Sequence, residues 1–143
     1  MTDPYHLQRF IDAQKGVIQT ALAELKAGAK RSHWMWFVFP QLRQLGRSST
    51  AQHFGIASID EARAYWQHPL LGPRLTASIE AVLPWAGLRT PEKIFGTVDA
   101  LKFRSSLTLF DAAQPLGSFD RALAAFYGGI RDERTLALLN GEG

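Results

Sequence analysis

Lys30-Arg31-Ser32-His33-Trp34-Met35-Trp36-Phe37-Val38-Phe39-Pro40-Gln41 is the stretch on which the fold class turns. Read as a strand, Trp34, Trp36 and Val38 share one face and Met35, Phe37 and Phe39 the other. Read as a helix, the run is apolar all round. Either reading places it at the centre of the core. No other segment alternates cleanly with a period of two, so this run alone decides between an all-helical chain and one with a buried strand.

The segments on both sides repeat at three and four residues. Leu7, Phe10, Ile11, Val17, Ile18, Ala21, Leu22 and Leu25 form one apolar stripe, which predicts a helix from about Pro4 to Ala27 with Asp3 as cap and Gly28 as stop. Ser58-Ile59-Asp60-Glu61 has capping-box spacing and opens a short helix from Ile59 to Gln67. His68-Pro69 ends it, because proline disfavours the α conformation in the residue before it. Leu75, Ile79, Val82 and Leu83 describe the next helix. Thr90-Pro91-Glu92 starts another through Phe95, and Val98 to Ala113 carries a longer one. Ser118 to Tyr127 and a segment capped by Asp132 and closed by Asn140-Gly141 complete the series. The expected class is all-α, one compact multihelical domain spanning residues 1–143 with six or seven helices.

Composition agrees. At 143 residues, 46% of them hydrophobic and 20% charged, the chain is long enough to bury roughly 70% of its unfolded surface around one core. No Pro- or Gly-rich linker, repeat or low-complexity run divides it. Sixteen basic residues stand against 13 acidic ones, giving a net charge of +3, a modest excess rather than a nucleic-acid tail. With no cysteine, disulfides, thiolate nucleophiles and zinc-thiolate sites are excluded. The N-terminus has no signal-peptide pattern, and the longest apolar run, Trp34 to Phe39, is too short for a bilayer. A cytoplasmic protein without membrane contact is the expectation.

The charge excess is local. From Leu25 to Ile59 there is no Asp or Glu, while Lys26, Lys30, Arg31, Arg43 and Arg47 lie within the segment, which favours an anionic ligand. Trp34 or Trp36 could offer a flat face to a ring, with Ser32 and His33 at the rim. In Asp99-Ala100-Leu101-Lys102-Phe103-Arg104-Ser105-Ser106-Leu107-Thr108-Leu109-Phe110, one helical face is apolar. Lys102, Ser105 and Ser106 share the opposite arc with Leu101 and Leu109. Leucines bracketing a cation and two hydroxyls suit the wall of a pocket for a phosphate-bearing group. In His68-Pro69-Leu70-Leu71-Gly72-Pro73-Arg74, a stiff backbone would aim His68 and Arg74.

The candidate ligand-binding residues are therefore Lys30, Arg31, Ser32, Trp34, Trp36, Arg74, Lys102, Ser105 and Ser106. Either His33 or His68 would be the base of a metal-independent hydrolase or glycosidase, with Asp99 the nearest carboxylate in sequence. A third reading makes the cationic segment an interaction or weak nucleic-acid-binding surface. The four histidines are widely spaced, so no metal site is expected, and no glycine-rich nucleotide loop or G-x-S-x-G elbow is present. No cofactor is called for, nucleic acid stays open as a partner, and oligomeric state is not addressed by the sequence.

Lys30 to Gln41, His68 to Leu75, Ile94-Phe95-Gly96, Asp99 and Lys102 to Phe110 together resemble family eighteen-ten of the domains of unknown function. The resemblance covers nearly the whole chain and implies a multihelical single-domain fold and no particular activity. Some members carry the label calpastatin, but a calpain inhibitor of that kind is expected to be disordered, Pro-rich and strongly charged, which this globular composition contradicts.

Overall fold

Lys15-Gly16-Val17 interrupts the long N-terminal stripe. In the computed structural model, which describes residues 2–141, Gly16 adopts φ +78°, a left-handed conformation that glycine takes at little cost. The chain therefore forms α1 (Gln8–Gln14) and α2 (Ile18–Lys26), a correction to the single helix expected from Pro4 to Ala27. Asp3 does cap, but later than expected: its carboxylate accepts from the Leu7 amide at 2.8 Å and the Gln8 amide at 3.0 Å. Those two N–H groups, Leu7 first, hold the Asp3 carboxyl below the usual carboxylate range.

The aromatic run is helical. Trp34, Met35, Val38 and Phe39 are buried while Trp36 and Phe37 are half-exposed, a helical spacing rather than an alternating one. The Val38 amide donates to the Trp34 carbonyl and the Phe39 amide to the Met35 carbonyl, each at 3.1 Å, closing one turn, α3 (Met35–Val38). The extended residues after Pro40 pair only through an isolated bridge between Leu42 and Ile56. That bridge encloses a 3₁₀ turn (Arg43–Leu45) and α4 (Ser49–Phe54), which Ser48 caps by accepting from the Ala51 amide.

The second half follows its sequence signals closely. Ser58 accepts from the Glu61 amide at 3.2 Å to start α5 (Ile59–Gln67). His68 leaves the α conformation before Pro69, as expected, and its Nδ1 accepts from the Leu70 and Leu71 amides at the head of α6 (Leu71–Val82). Gly72 lies so close to the Trp66 carbonyl that a Cβ would collide with it. A 3₁₀ turn (Leu83–Trp85), α7 (Pro91–Phe95), α8 (Thr97–Ala113), α9 (Ser118–Tyr127) and α10 (Glu133–Leu139) complete the chain. Among the described residues there are ten α-helices and no strand, rather than six or seven helices. The difference comes from the break at Gly16, from α3 and from α4.

α8 is the central element: α5, α7, α9 and α10 all pack on it, and α2 packs on α6. Its six residues from Ser105 to Phe110 are all buried. The buried apolar residues form one cluster that draws on both ends of the chain.

A polar knot ties the N-terminal segment to this core. Arg9 and Glu61 are 7% and 1% exposed and their side chains meet at 2.7 Å. Arg9 uses every donor it has. Nε reaches the His53 carbonyl at 2.8 Å, Nη1 the carbonyls of Tyr5 and His6, and Nη2 the Gly55 carbonyl and Glu61. Removing Glu61 leaves that buried cation without its counter-charge, so Glu61→Ala is expected to lose about 3–5 kcal/mol. In urea unfolding its midpoint drops, whereas Glu61→Ala combined with Arg9→Met recovers part of the loss. Equal midpoints for Glu61→Ala and the parent chain would contradict this account.

Candidate functional site

Glu24, on α2, gathers the start of the aromatic segment. Its carboxylate accepts from the backbone amides of Arg31 at 2.8 Å and Ser32 at 3.0 Å, from the Ser32 hydroxyl, and from the Trp34 indole N–H at 2.9 Å. Burial works against ionisation. The Ser32 hydroxyl, the two amides and the indole outweigh it and hold the carboxyl down from its ordinary 4.5 to about 2.

Next to this knot, Lys30 is fixed at both ends. Its amide donates to the Ile94 carbonyl at 2.8 Å. Its ammonium donates to the Ser32 carbonyl at 2.7 Å and pairs with Asp99 at 2.8 Å. Asp99, in the first turn of α8, also faces Lys102 at 3.4 Å. The Lys102 ammonium in turn lies 3.5 Å from the centroid of the Trp36 ring, a close cation–π contact. The aromatic segment and the start of α8 thus meet through Lys30, Asp99, Lys102 and Trp36.

The corner is nearly neutral inside and cationic at its edge. Lys30 is met by Asp99, and the Arg31 and Ser32 amides by Glu24. Arg31 and His33 stand exposed beside them. Trp34 is fully buried with its N–H committed to Glu24, so it is a packing residue, while the half-exposed Trp36 keeps surface available.

Other candidates from the sequence lie elsewhere. Ser105 and Ser106 are 7% and 1% exposed, and the Ser105 hydroxyl donates to the Leu101 carbonyl at 3.0 Å. The arc that reads as a pocket wall changes character along α8. At Leu101, which is 55% exposed, it faces outward, and from Ser105 onward it is core. Arg74 donates to Gln14 at 3.3 Å, and Gln14 in turn donates to the Phe37 carbonyl and the Tyr65 hydroxyl. That network binds α1, α3, α5 and α6 together and is separate from the Lys30–Lys102 corner. Burial pushes the Tyr65 phenol above its ordinary pKa. His68 sits at the α5–α6 junction beside a cavity of about 580 Å³ that Trp66, Pro69, Pro73 and Thr76 also line, with its Nδ1 used as a helix cap.

Sequence reasoning missed Glu24, which lies outside the acid-free stretch and carries no motif. It named Asp99 only for its proximity. Among the described residues no group of three or more His, Asp or Glu could hold a metal, and no helix is long and apolar enough to cross a membrane.

The structure therefore defines an all-helical protein whose tryptophan-rich segment is tied to α2 through Glu24 and, through the Lys30–Asp99 ion pair, to the first turn of the central helix α8. The chain belongs to the family described as "Protein of unknown function (DUF1810)", whose model matches residues 4–139. It is similar, at 52% identity, to the conserved hypothetical protein Rv1873 from Mycobacterium tuberculosis, known from a crystal structure at 1.38 Å. The likeness covers 96% of this chain and 99% of that one with a TM-score of 0.93. No curated protein matches the chain.

Because the folded-state pKa of Glu24 is depressed, its contribution to stability is present above about pH 4.5 and is lost as the pH falls towards 2. Glu24→Ala strands the donors around it and is expected to cost about 2 kcal/mol near neutral pH. Thermal unfolding followed from pH 5 to pH 2.5 should show a shallower acid decline in the variant. Parallel curves would mean that Glu24 does not carry the effect.

Proposed function

We propose that the corner between the tryptophan-rich segment and α8 binds a small phosphate-bearing ligand, nucleotide-like in carrying a ring beside its anionic group. The observation that carries this reading is the Lys102 ammonium held 3.5 Å from the centre of the Trp36 ring. It places a cation and a partly exposed aromatic surface from the two cationic segments side by side. Arg31 and His33, both exposed, supply the rim. Lys30 and Asp99 act from beneath: their ion pair at 2.8 Å fixes the backbone at Lys30 and keeps Asp99 shared between two ammonium groups, so neither lysine is fully neutralised. Ser32 and Trp34 hold the segment in place through Glu24 rather than touching the ligand. Neighbouring positive charge and a stacking surface are the two elements that recognise a nucleoside monophosphate.

The test is a thermal-shift comparison of adenosine monophosphate, ribose 5-phosphate and inorganic phosphate against sodium chloride at equal ionic strength. A ligand at a hundred times its Kd adds about 2.7 kcal/mol to the folded state, which raises Tm by several degrees. The expected order is adenosine monophosphate above ribose 5-phosphate above phosphate, with the excess over inorganic phosphate lost in Lys102→Ala and reduced for the nucleotide alone in Trp36→Ala. A rise no larger than that in chloride, or an excess of the nucleotide over inorganic phosphate unchanged in Lys102→Ala, overturns the proposal.

A further inference from the structure

Three arginines line one cavity on the far side of α8, and their situations differ sharply. The cavity, of about 360 Å³, is bounded by Arg104, Ile130, Arg131, Asp132, Glu133 and Arg134, a volume within the range of small-molecule sites. Arg131 is fully engaged. It bonds Asp111 at 3.0 Å, Asp120 at 2.8 Å and the Gly129 carbonyl at 2.9 Å, and those carboxylates, Asp120 first, raise its pKa. Asp132 is engaged as well, since its carboxylate accepts from the amide and hydroxyl of Thr135.

Arg104 has none of this. Its Nε is closed off from solvent without any acceptor, and among the described residues it forms no ion pair with an acid. Its guanidinium instead lies 5.3 Å from the centroid of the Tyr127 ring. Burial first, then the charge of Glu92, raises the Tyr127 phenol, while Arg104 opposes them. Thr108, one turn along α8, donates to the Arg104 carbonyl and accepts from the Asp132 amide, so the 130–134 segment is docked against the helix beside the unpaired guanidinium. A buried donor such as the Arg104 Nε–H without an acceptor is rare, because a polar group removed from water without a partner is costly. Where such a group faces a cavity, an anion from outside is the natural partner.

The geometry points to this cavity as a binding site for a small oxyanion, a phosphate or carboxylate group, held by the terminal nitrogens of Arg104 with Arg134 at the mouth. Arg131, locked by Asp111 and Asp120, forms the wall and keeps those two carboxylates away from the ligand. Glu133, exposed at the same mouth, competes with the ligand for the arginines, so it sets the affinity rather than occupying the site.

The site is independent of the Lys102 corner and is tested separately. In a nitrogen–proton correlation spectrum of the isotope-labelled protein, the Arg104 Nε–H signal and the amides of residues 130–134 are followed during titration with inorganic phosphate and, separately, succinate. Sodium chloride at equal ionic strength is the control. A saturating shift is expected with at least one oxyanion, and the stronger of the two identifies the head group preferred. Arg104→Met is expected to weaken binding at least tenfold, Arg134→Met several-fold, and Glu133→Gln to tighten it, while Lys102→Ala leaves it unchanged. Non-saturating shifts that follow chloride, or equal binding by Arg104→Met and by the surface variant Arg134→Met, overturn the inference.

Discussion

The Arg9 guanidinium is the point from which the rest of the architecture is fixed. Its five donors reach four backbone carbonyls and one carboxylate across the N-terminal turn, the end of α4, the α4–α5 link and α5. Lysine, with three donors on a point charge, could not span that set. The same guanidinium lies 4.3 Å from the centroid of Phe10, whose ring meets the edge of Tyr65 at 5.1 Å. Tyr65 accepts from Gln14, and Gln14 also donates to the Phe37 carbonyl at the end of α3. One buried cation, one buried amide and one buried phenol thus position α1, α3 and α5 in succession. The aromatic segment leaves Trp36 part-exposed because the Phe37 carbonyl is held by Gln14 and the side chains of Met35 and Val38 are buried.

How much of this was legible in the sequence depended on how local the cause was. Ser58, Thr90 and Asp132 each satisfy an amide three residues on, so the starts of α5, α7 and α10 can be read directly. Gly16 could be read either as a tolerated glycine inside a helix or as a break, and the apolar stripe runs through it unbroken. Its left-handed φ goes with a change of packing partner, α1 lying on α3 and α2 on α6. α4 is six residues long with too little periodicity to be seen. The capping box at Ser58 was half right for a long-range reason. Glu61 accepts from the Ala57 amide at 2.9 Å and turns its other oxygen to Arg9, a partner 52 positions away.

The acid-free stretch from Leu25 to Ile59 shows the same limit for the site. Two of its features, the cation at Lys30 and the amides before Trp34, are met by carboxylates from outside the window: Glu24 one residue before it and Asp99 on a distant helix. A run of one charge in the sequence is not a region of one charge in space. The aromatic content was read correctly as core, yet only packing separates Trp34, fully buried, from Trp36. In α8 the mixture of Lys102, Ser105 and Ser106 with leucines looked like one wall because the helix was read as having one environment. It has two, an outer end at Leu101 and an interior from Ser105, and hydroxyls in the interior can satisfy themselves on carbonyls one turn back, as Ser105 and Thr108 do.

Lys102 and Arg104 make the contrast sharpest. They are two positions apart, hence about 200° apart around α8, and face different neighbours. Lys102 shares Asp99 with Lys30 and rests on Trp36. Arg104 turns towards Tyr127 and the 130–134 segment and, among the described residues, forms no ion pair. In the sequence the lysine stands out because it sits among aromatics and hydroxyls, while the arginine looks like one more surface charge. Compensation reverses that order. A cation whose charge is already shared with a carboxylate has less to gain from a ligand than one without an ion pair whose Nε–H has given up water without gaining an acceptor. Among the described residues the buried charges Arg9 and Glu61 are fully paired, so an orphaned Nε–H on the half-buried Arg104 is the exception that requires a physical reason.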